Sequence, residues 1–347
     1  MTLPERPADV VWDITYACPL RCTHCYSESG RRPSRQLDPA DLLRVTDALI
    51  ALRPGWIALA GGEPLLVRGL AEVARRIRAA GIGVALYTGG WSLSDWTAAD
   101  LLTEFDRVNV SVDGATPAVH DRVRGRAGSF DRALATLERL DGAAGRLRAA
   151  GHRSAEFGVD CTVVRSSLHQ LDQLCATLAA RLPHLDFVWI GAAMPIGLAS
   201  RPSFVDAELL DDEQADALAD PATGERLRAL LPPTVTVAVQ DNRMLQVHPD
   251  HLARGWYPFL QVEPDGAARA MPIYEGTVGS LLTEDPGEVW RRCVQRWSDP
   301  FVTATLGPVR TMRDWAAATR RLDRHFGDRL VRARIERRPA HLAGQPG

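Results

Sequence analysis

The sequence predicts an α/β fold, a partial (β/α)6 barrel followed by a smaller C-terminal α+β extension. Three observations predict it. Six short runs of β-forming residues occur before residue 200, and most lead into apolar residues at helical spacing. They recur every 30 to 50 residues or so, roughly the period of right-handed βα units. A complete eight-unit barrel takes about 250 residues, more than this segment offers. A doubly wound dinucleotide-binding sheet is the rival, but the first strand-to-helix turn lacks the glycine fingerprint of that fold.

Residues 11–16 are rich in β-formers and read as the first strand, with Cys18-Pro-Leu-Arg-Cys22-Thr-His-Cys25 on the loop that leaves it. Residues 26–37 are mostly Ser, Glu, Gly, Pro and Arg and read as loop. Asp38 and Pro39 then give an N-cap and a first helical position, followed by Leu42, Val45, Leu49 and Leu52 at helical spacing. Residues 56–60 form a buried parallel strand that enters Gly61-Gly62-Glu63-Pro64, where paired glycines let a ligand approach the backbone. Leu70, Val73, Ala74 and Ile77 mark a helix stopped by Gly81. Residues 82–88 are the third strand, and residues 91–102 open another helical pattern.

Residues 108–114 alternate as a fourth strand, with Asn109, Ser111 and Asp113 on the face opposite Val108, Val110 and Val112. The polar face of a barrel strand points at ligand rather than at the packed helices. The next connection carries Arg122 and Arg124, read as solvated or as holding a carboxylate, and Ser129 as the cap of a helix lined by Leu134, Leu137 and Leu140. Residues 156–164 are the fifth strand, with Asp160 and Thr162 on one face and Cys161 on the other. A leucine-patterned helix over 168–181 and a sixth strand over 186–192 complete the core.

The expected division is a core over 1–202, an exposed acidic bridge over 203–230, and a second unit over 231–347 that opens with a strand over 234–240. Its tail, 310–338, holds ten arginines and reads as a solvated helix face. RNA binding is the other reading of such a tail, and no RNP, KH or zinc-finger pattern accompanies it.

At 46% hydrophobic, 24% charged and a net charge of −2, the composition is that of an ordinary globular protein with no field to steer a polyanion. No run of 18 apolar residues is present, and the start has no basic segment leading into an apolar one, so neither a membrane span nor a signal peptide is expected. All 41 basic residues are arginine, which excludes Schiff-base chemistry through a protein lysine.

Three of the six cysteines fall within eight residues. Three thiolates can hold a [4Fe–4S] cluster and leave one iron open to a small molecule, and the alternative is a zinc site completed by a distant histidine. The spacing Cys-x3-Cys-x2-Cys, followed by Gly61-Gly62-Glu63-Pro64, resembles the radical SAM enzymes. The resemblance implies a partial TIM-like barrel and a cluster held by Cys18, Cys22 and Cys25. It further implies that S-adenosylmethionine chelates the open iron and is cleaved by one electron from a reductant such as flavodoxin or ferredoxin. It places His24 near the adenine with Tyr26 beyond it, Gly61 to Pro64 along the amino group, Ser111 and Asp113 on the cofactor, and Arg165 on its carboxylate or ribose. The lack of an expected signal peptide or membrane span suggests a reducing cytoplasm, which an oxygen-sensitive cluster also needs.

Residues 259–290 resemble a SPASM or twitch extension, with Pro264-Asp265-Gly266 and a helix near Trp290. The auxiliary-cluster cysteine position falls near Met271-Pro272, and Cys293 is the sole cysteine of this part. A degenerate extension without metal is therefore expected. The resemblance implies hydrogen abstraction from a peptide during natural-product maturation, with epimerisation or cross-linking as outcomes and Cys293 as the best hydrogen donor over Cys161 and Cys175. No peptide-recognition module precedes residue 11, which points to direct recognition or to a separate leader-peptide-binding protein. A small metabolite in antibiotic biosynthesis is the alternative substrate, and a non-catalytic scaffold or RNA-binding protein the alternative class.

Overall fold

The six expected core strands all form in the computed structural model, which describes residues 4–341. They are β1 (Asp9–Thr15), β2 (Trp56–Gly61), β3 (Gly83–Thr88), β4 (Arg107–Ser111), β5 (Glu156–Val163) and β6 (Phe187–Ala192). Four more follow: β7 (Thr236–Gln240), β8 (Leu260–Val262), β9 (Ala267–Arg269) and β10 (Thr277–Ser280). They make one sheet in the order β10-β9-β8-β1-β2-β3-β4-β5-β6-β7. Strands β1 to β7 run parallel to their neighbours in chain order, β8 pairs parallel with the free side of β1, and β9 and β10 are antiparallel. The sheet therefore has two edges, β7 and β10, and the barrel is partial.

Strand alternation decides which side chains face the helices and which face the barrel interior. Trp12, Ile14, Ile57, Leu59, Val84, Leu86, Val108, Val110, Phe157, Val159, Cys161, Val188 and Ile190 face outward into the hydrophobic core. Each such side chain contributes about 1.5–3 kcal/mol by leaving water. The opposite face mixes small and polar side chains and lines a cavity, described below.

Several local expectations differ from the structure. The helix expected over 91–102 is shorter, Ala98–Glu104, because a capping box between Thr97 and Asp100 starts it late. Ser129 is not the cap of its helix; Gly128 is, in the left-handed region, and the Ser129 hydroxyl donates to Asp121 instead. The stretch 203–230 is not an exposed bridge. It forms the helices Pro202–Ala207, Asp212–Ala219 and Pro221–Arg228, whose Phe204, Val205, Ala215, Leu218 and Leu227 are buried, while Asp211 and Asp220 cap the second and third and Asp212 and Glu213 fill a first turn. The strand expected to open a second unit is β7, the seventh parallel strand of the barrel sheet. The tail forms the helices Met312–Phe326 and Arg329–Glu336.

Candidate active site

The cysteine loop is fixed from three directions by backbone hydrogen bonds. Glu63 N donates to Ala17 O at 2.8 Å, Thr23 N donates to Val123 O at 2.9 Å, and Leu198 N donates to Cys25 O at 3.1 Å. Two of these approaches need glycine. A Cβ on Gly62 would lie 2.2 Å from Ala17 O, and one on Gly197 would lie 2.2 Å from Tyr26 O, in a backbone with φ +51°. Arg201 ties down the same loop: its Nη2 donates to Thr23 O at 2.8 Å.

Cys18, Cys22 and Cys25 all line one cavity of about 320 Å³, within the range of small-molecule sites. His24, Tyr26, Gly61, Gly62 and Ser111 line it too. Sequence reasoning missed Tyr87, Asn242, Phe259, Gln261 and Ile273, which complete the wall. Tyr87 sits on the strand face that Ala85 begins, so alternation could have found it. The other four follow β7 or belong to the extension, and no local pattern marks them.

Several expected site residues are turned away from the cavity and hold it together. Glu63 folds its carboxylate beneath the turn, accepting from Thr88 Oγ1 at 2.9 Å and Gly89 N at 3.0 Å, and burial pushes it up to about 7. Pro64 starts a short turn and is buried. Asp113 forms a two-point ion pair with Arg124, Nε to Oδ2 at 2.6 Å and Nη2 to Oδ1 at 2.9 Å, and accepts from Thr162 N at 2.9 Å. Burial would raise its carboxyl, but Arg124 outweighs it and the net shift is downward. His24 lies 3.7 Å from Asp113, and burial drives it down to about 4 against that charge.

Arg165 does not reach the cavity. Its guanidinium donates to Asp206 O and Leu209 O, both at 2.8 Å, stapling the first helix of the 203–230 stretch. Cys293 is buried on the helix Pro286–Trp297, its thiol against Arg269 O at 3.5 Å, outside the cavity lining. Cys161 and Cys175 are packed in the outward core.

The donor set fits an iron–sulfur cluster. Three thiols on one loop open into one cavity beside Gly61 and Gly62, and Arg124 Nη1 stands 3.8 Å from Cys22 Sγ, a cation beside a would-be thiolate. Without a metal, burial pushes the Cys22 thiol up to about 11, against the pull of Arg124. Among the described residues no three His, Cys, Asp or Glu side chains, the three cysteines included, are gathered closely enough to hold a single metal ion.

Residues 12–146, which carry the cysteine loop and β1 to β4, match the family model of the radical SAM superfamily. Over this segment, less than half of its length, the chain is similar to that superfamily. Mycofactocin maturase MftC of Mycolicibacterium smegmatis is 34% identical over 209 residues, 60% of this chain and 48% of that protein. The AdoMet-dependent heme synthase of Methanosarcina barkeri is 29% identical over 195 residues, 54% of this chain and 52% of that protein. The chain thus spans about half the length of these relatives. Streptococcus suis SuiB bound to precursor peptide SuiA superposes with a TM-score of 0.65 over 98% of this chain and 75% of that one, at 12% identity, a likeness of fold. Among the described residues no helix is long and apolar enough to cross a membrane.

Proposed function

We propose that this radical SAM protein is an enzyme that abstracts hydrogen from a peptide during maturation of a ribosomally made natural product. The observation that carries the reading is the convergence of Cys18, Cys22 and Cys25 with Gly61 and Gly62 on one cavity. Cys18, Cys22 and Cys25 would hold a [4Fe–4S] cluster, and Gly61, Gly62, Ser111 and His24 would border S-adenosylmethionine. When bound, this pair supplies a primary carbon radical able to remove an unactivated hydrogen.

The chain's own residues do the rest. The Asp113–Arg124 pair locks the helix after β4 beneath the cysteine loop, where Arg21 N donates to Arg124 O at 3.1 Å. Phe259 and Ile273 of the extension roof the cavity with apolar surface, which keeps water and stray hydrogen donors out. Cys161, Cys175 and Cys293 all lie off the cavity wall, which favours cross-linking or related C–H functionalisation over epimerisation by a protein thiol. A flavodoxin or ferredoxin would deliver the electron, and a separate protein would present the leader segment.

The MftC relative supports a maturase, and the peptide bound to SuiB supports a peptide substrate. The heme synthase relative favours a second reading, a small metabolite. Anaerobic reconstitution should yield about four irons per chain, lost when Cys18, Cys22 and Cys25 become alanine, with 5′-deoxyadenosine formed under dithionite. Mass shifts in leader-bearing peptides encoded beside the gene support the peptide reading. Uptake of zinc alone, or of no iron, overturns the whole assignment.

A further inference from the structure

The carboxylates around the barrel interior are provided with partners, with one exception. Asp13 accepts from Tyr26 Oη at 2.5 Å and Gln261 Nε2 at 3.0 Å. Asp113 is held by Arg124, and Glu63 by Thr88 and Gly89. Asp160, on β5 in register with Ser111 of β4, lines the same cavity beside Tyr87, Thr162 and Asn242. Among the described residues no hydrogen-bond donor or ion-pair partner reaches its side chain.

A half-buried carboxylate without a partner is unfavourable unless something completes it. The nearest source of positive charge, Arg124, is committed to Asp113 by an ion pair with one hydrogen bond and backs Cys22. We propose that Asp160 binds a cationic group of the substrate, an amine or guanidinium, and by anchoring it selects which carbon is presented for hydrogen abstraction. Burial, reinforced by the charge of Asp113, pushes the carboxyl up to about 6, so it is still largely ionised at neutral pH and ready for a cation. Charge-assisted hydrogen bonds are the strong ones, and the flanking Tyr87 ring and Asn242 amide suit the rim of a site for such a group.

This rests on the reading that the cavity holds substrate, but its test needs no turnover. The reconstituted full-length protein with S-adenosylmethionine is titrated with n-butylguanidinium and with neutral n-pentanol by saturation-transfer NMR. The cation should bind saturably to the wild type and at least about tenfold more weakly to Asp160→Asn, while n-pentanol does not distinguish the two. Affinity for S-adenosylmethionine should stay within about twofold, and the melting temperature of Asp160→Asn should not fall, because the change removes an unpaired charge. Asp160→Ser serves in the same way if the asparagine variant does not fold. Equal binding of the cation to both proteins, no binding to the wild type, or a matching loss of S-adenosylmethionine affinity each overturns the proposal; the last would make Asp160 a cofactor contact. Failure of cluster uptake, by contrast, would overturn the enzymatic reading, and the cation titration would then be read on the full-length protein without cluster or S-adenosylmethionine.

Discussion

Arg269→Met is the substitution whose cost the structure lets one work out most fully. Arg269 is 1% exposed and sits where β9 meets the C-terminal helices. Its Nε lies 3.1 Å from Glu263 and its Nη2 lies 3.8 Å from Glu275, both carboxylates being buried. Glu263 keeps Arg35 at 2.6 Å, which is itself about one-third exposed, and Glu275 keeps Arg334. Removing one member of a buried ionic network costs about 3–5 kcal/mol, because it strands the partner charge. At about 2.1 cal/mol/K per residue, this chain loses about 0.7 kcal/mol of stability per degree, so the melting temperature should drop by about 4–7 °C at pH 7.

The pH dependence supplies an internal check. In the wild type the Glu275 carboxyl is held well below the usual range, burial being outweighed by Arg269, Arg334, Arg32 and Arg338. A depressed folded-state value means its contribution is present above the unfolded carboxylate range and is lost as pH falls. Without Arg269 the carboxyl titrates higher, so the deficit of the variant should shrink as pH falls from about 4.5 towards about 2. Scanning calorimetry across that range reads both effects. A loss under about 1 kcal/mol, or a deficit that does not change with pH, would show that the remaining arginines carry the network and that the reasoning is wrong.

Three further predictions concern the site. Gly62→Ala places a Cβ 2.2 Å from Ala17 O, so it should cost about 1–3 kcal/mol and lower iron uptake on reconstitution; unchanged iron content and melting temperature would refute that close packing. Asp13 is raised by burial to about 6, so its contribution is full below the unfolded value and is lost as pH rises through about 6. Asp13→Asn should therefore flatten the stability profile between pH 4 and pH 7 by about 3 kcal/mol, read by urea titration, and an unaltered slope would count against it. Cys293→Ala should leave 5′-deoxyadenosine formation and product pattern as in the wild type, and loss of product with cofactor cleavage intact would restore Cys293 as a hydrogen donor.

The sequence alone determined the six core strands and the cysteine loop, because both are written locally. A strand is set by period-2 alternation over five or six residues, and Cys18, Cys22 and Cys25 lie within one turn of chain. It also placed Asp160 and Thr162 on one face and Ser111 on a polar one. Only the tertiary structure decided what those faces meet. Glu63, Asp113 and Arg165 look like ligands in sequence and prove to be braces, since their partners Thr88, Arg124 and the carbonyls of Asp206 and Leu209 arrive from other elements. Asp160, with no such partner among the described residues, is left to the cavity. The 203–230 stretch reads as acidic overall, but packing recruits its few apolar residues into helices, and β7 joins the barrel because a parallel edge strand gains its hydrogen bonds only from a neighbour far away in sequence. Which carboxylates are satisfied within the protein, and which await a ligand, is a property of long-range contacts that no local pattern encodes.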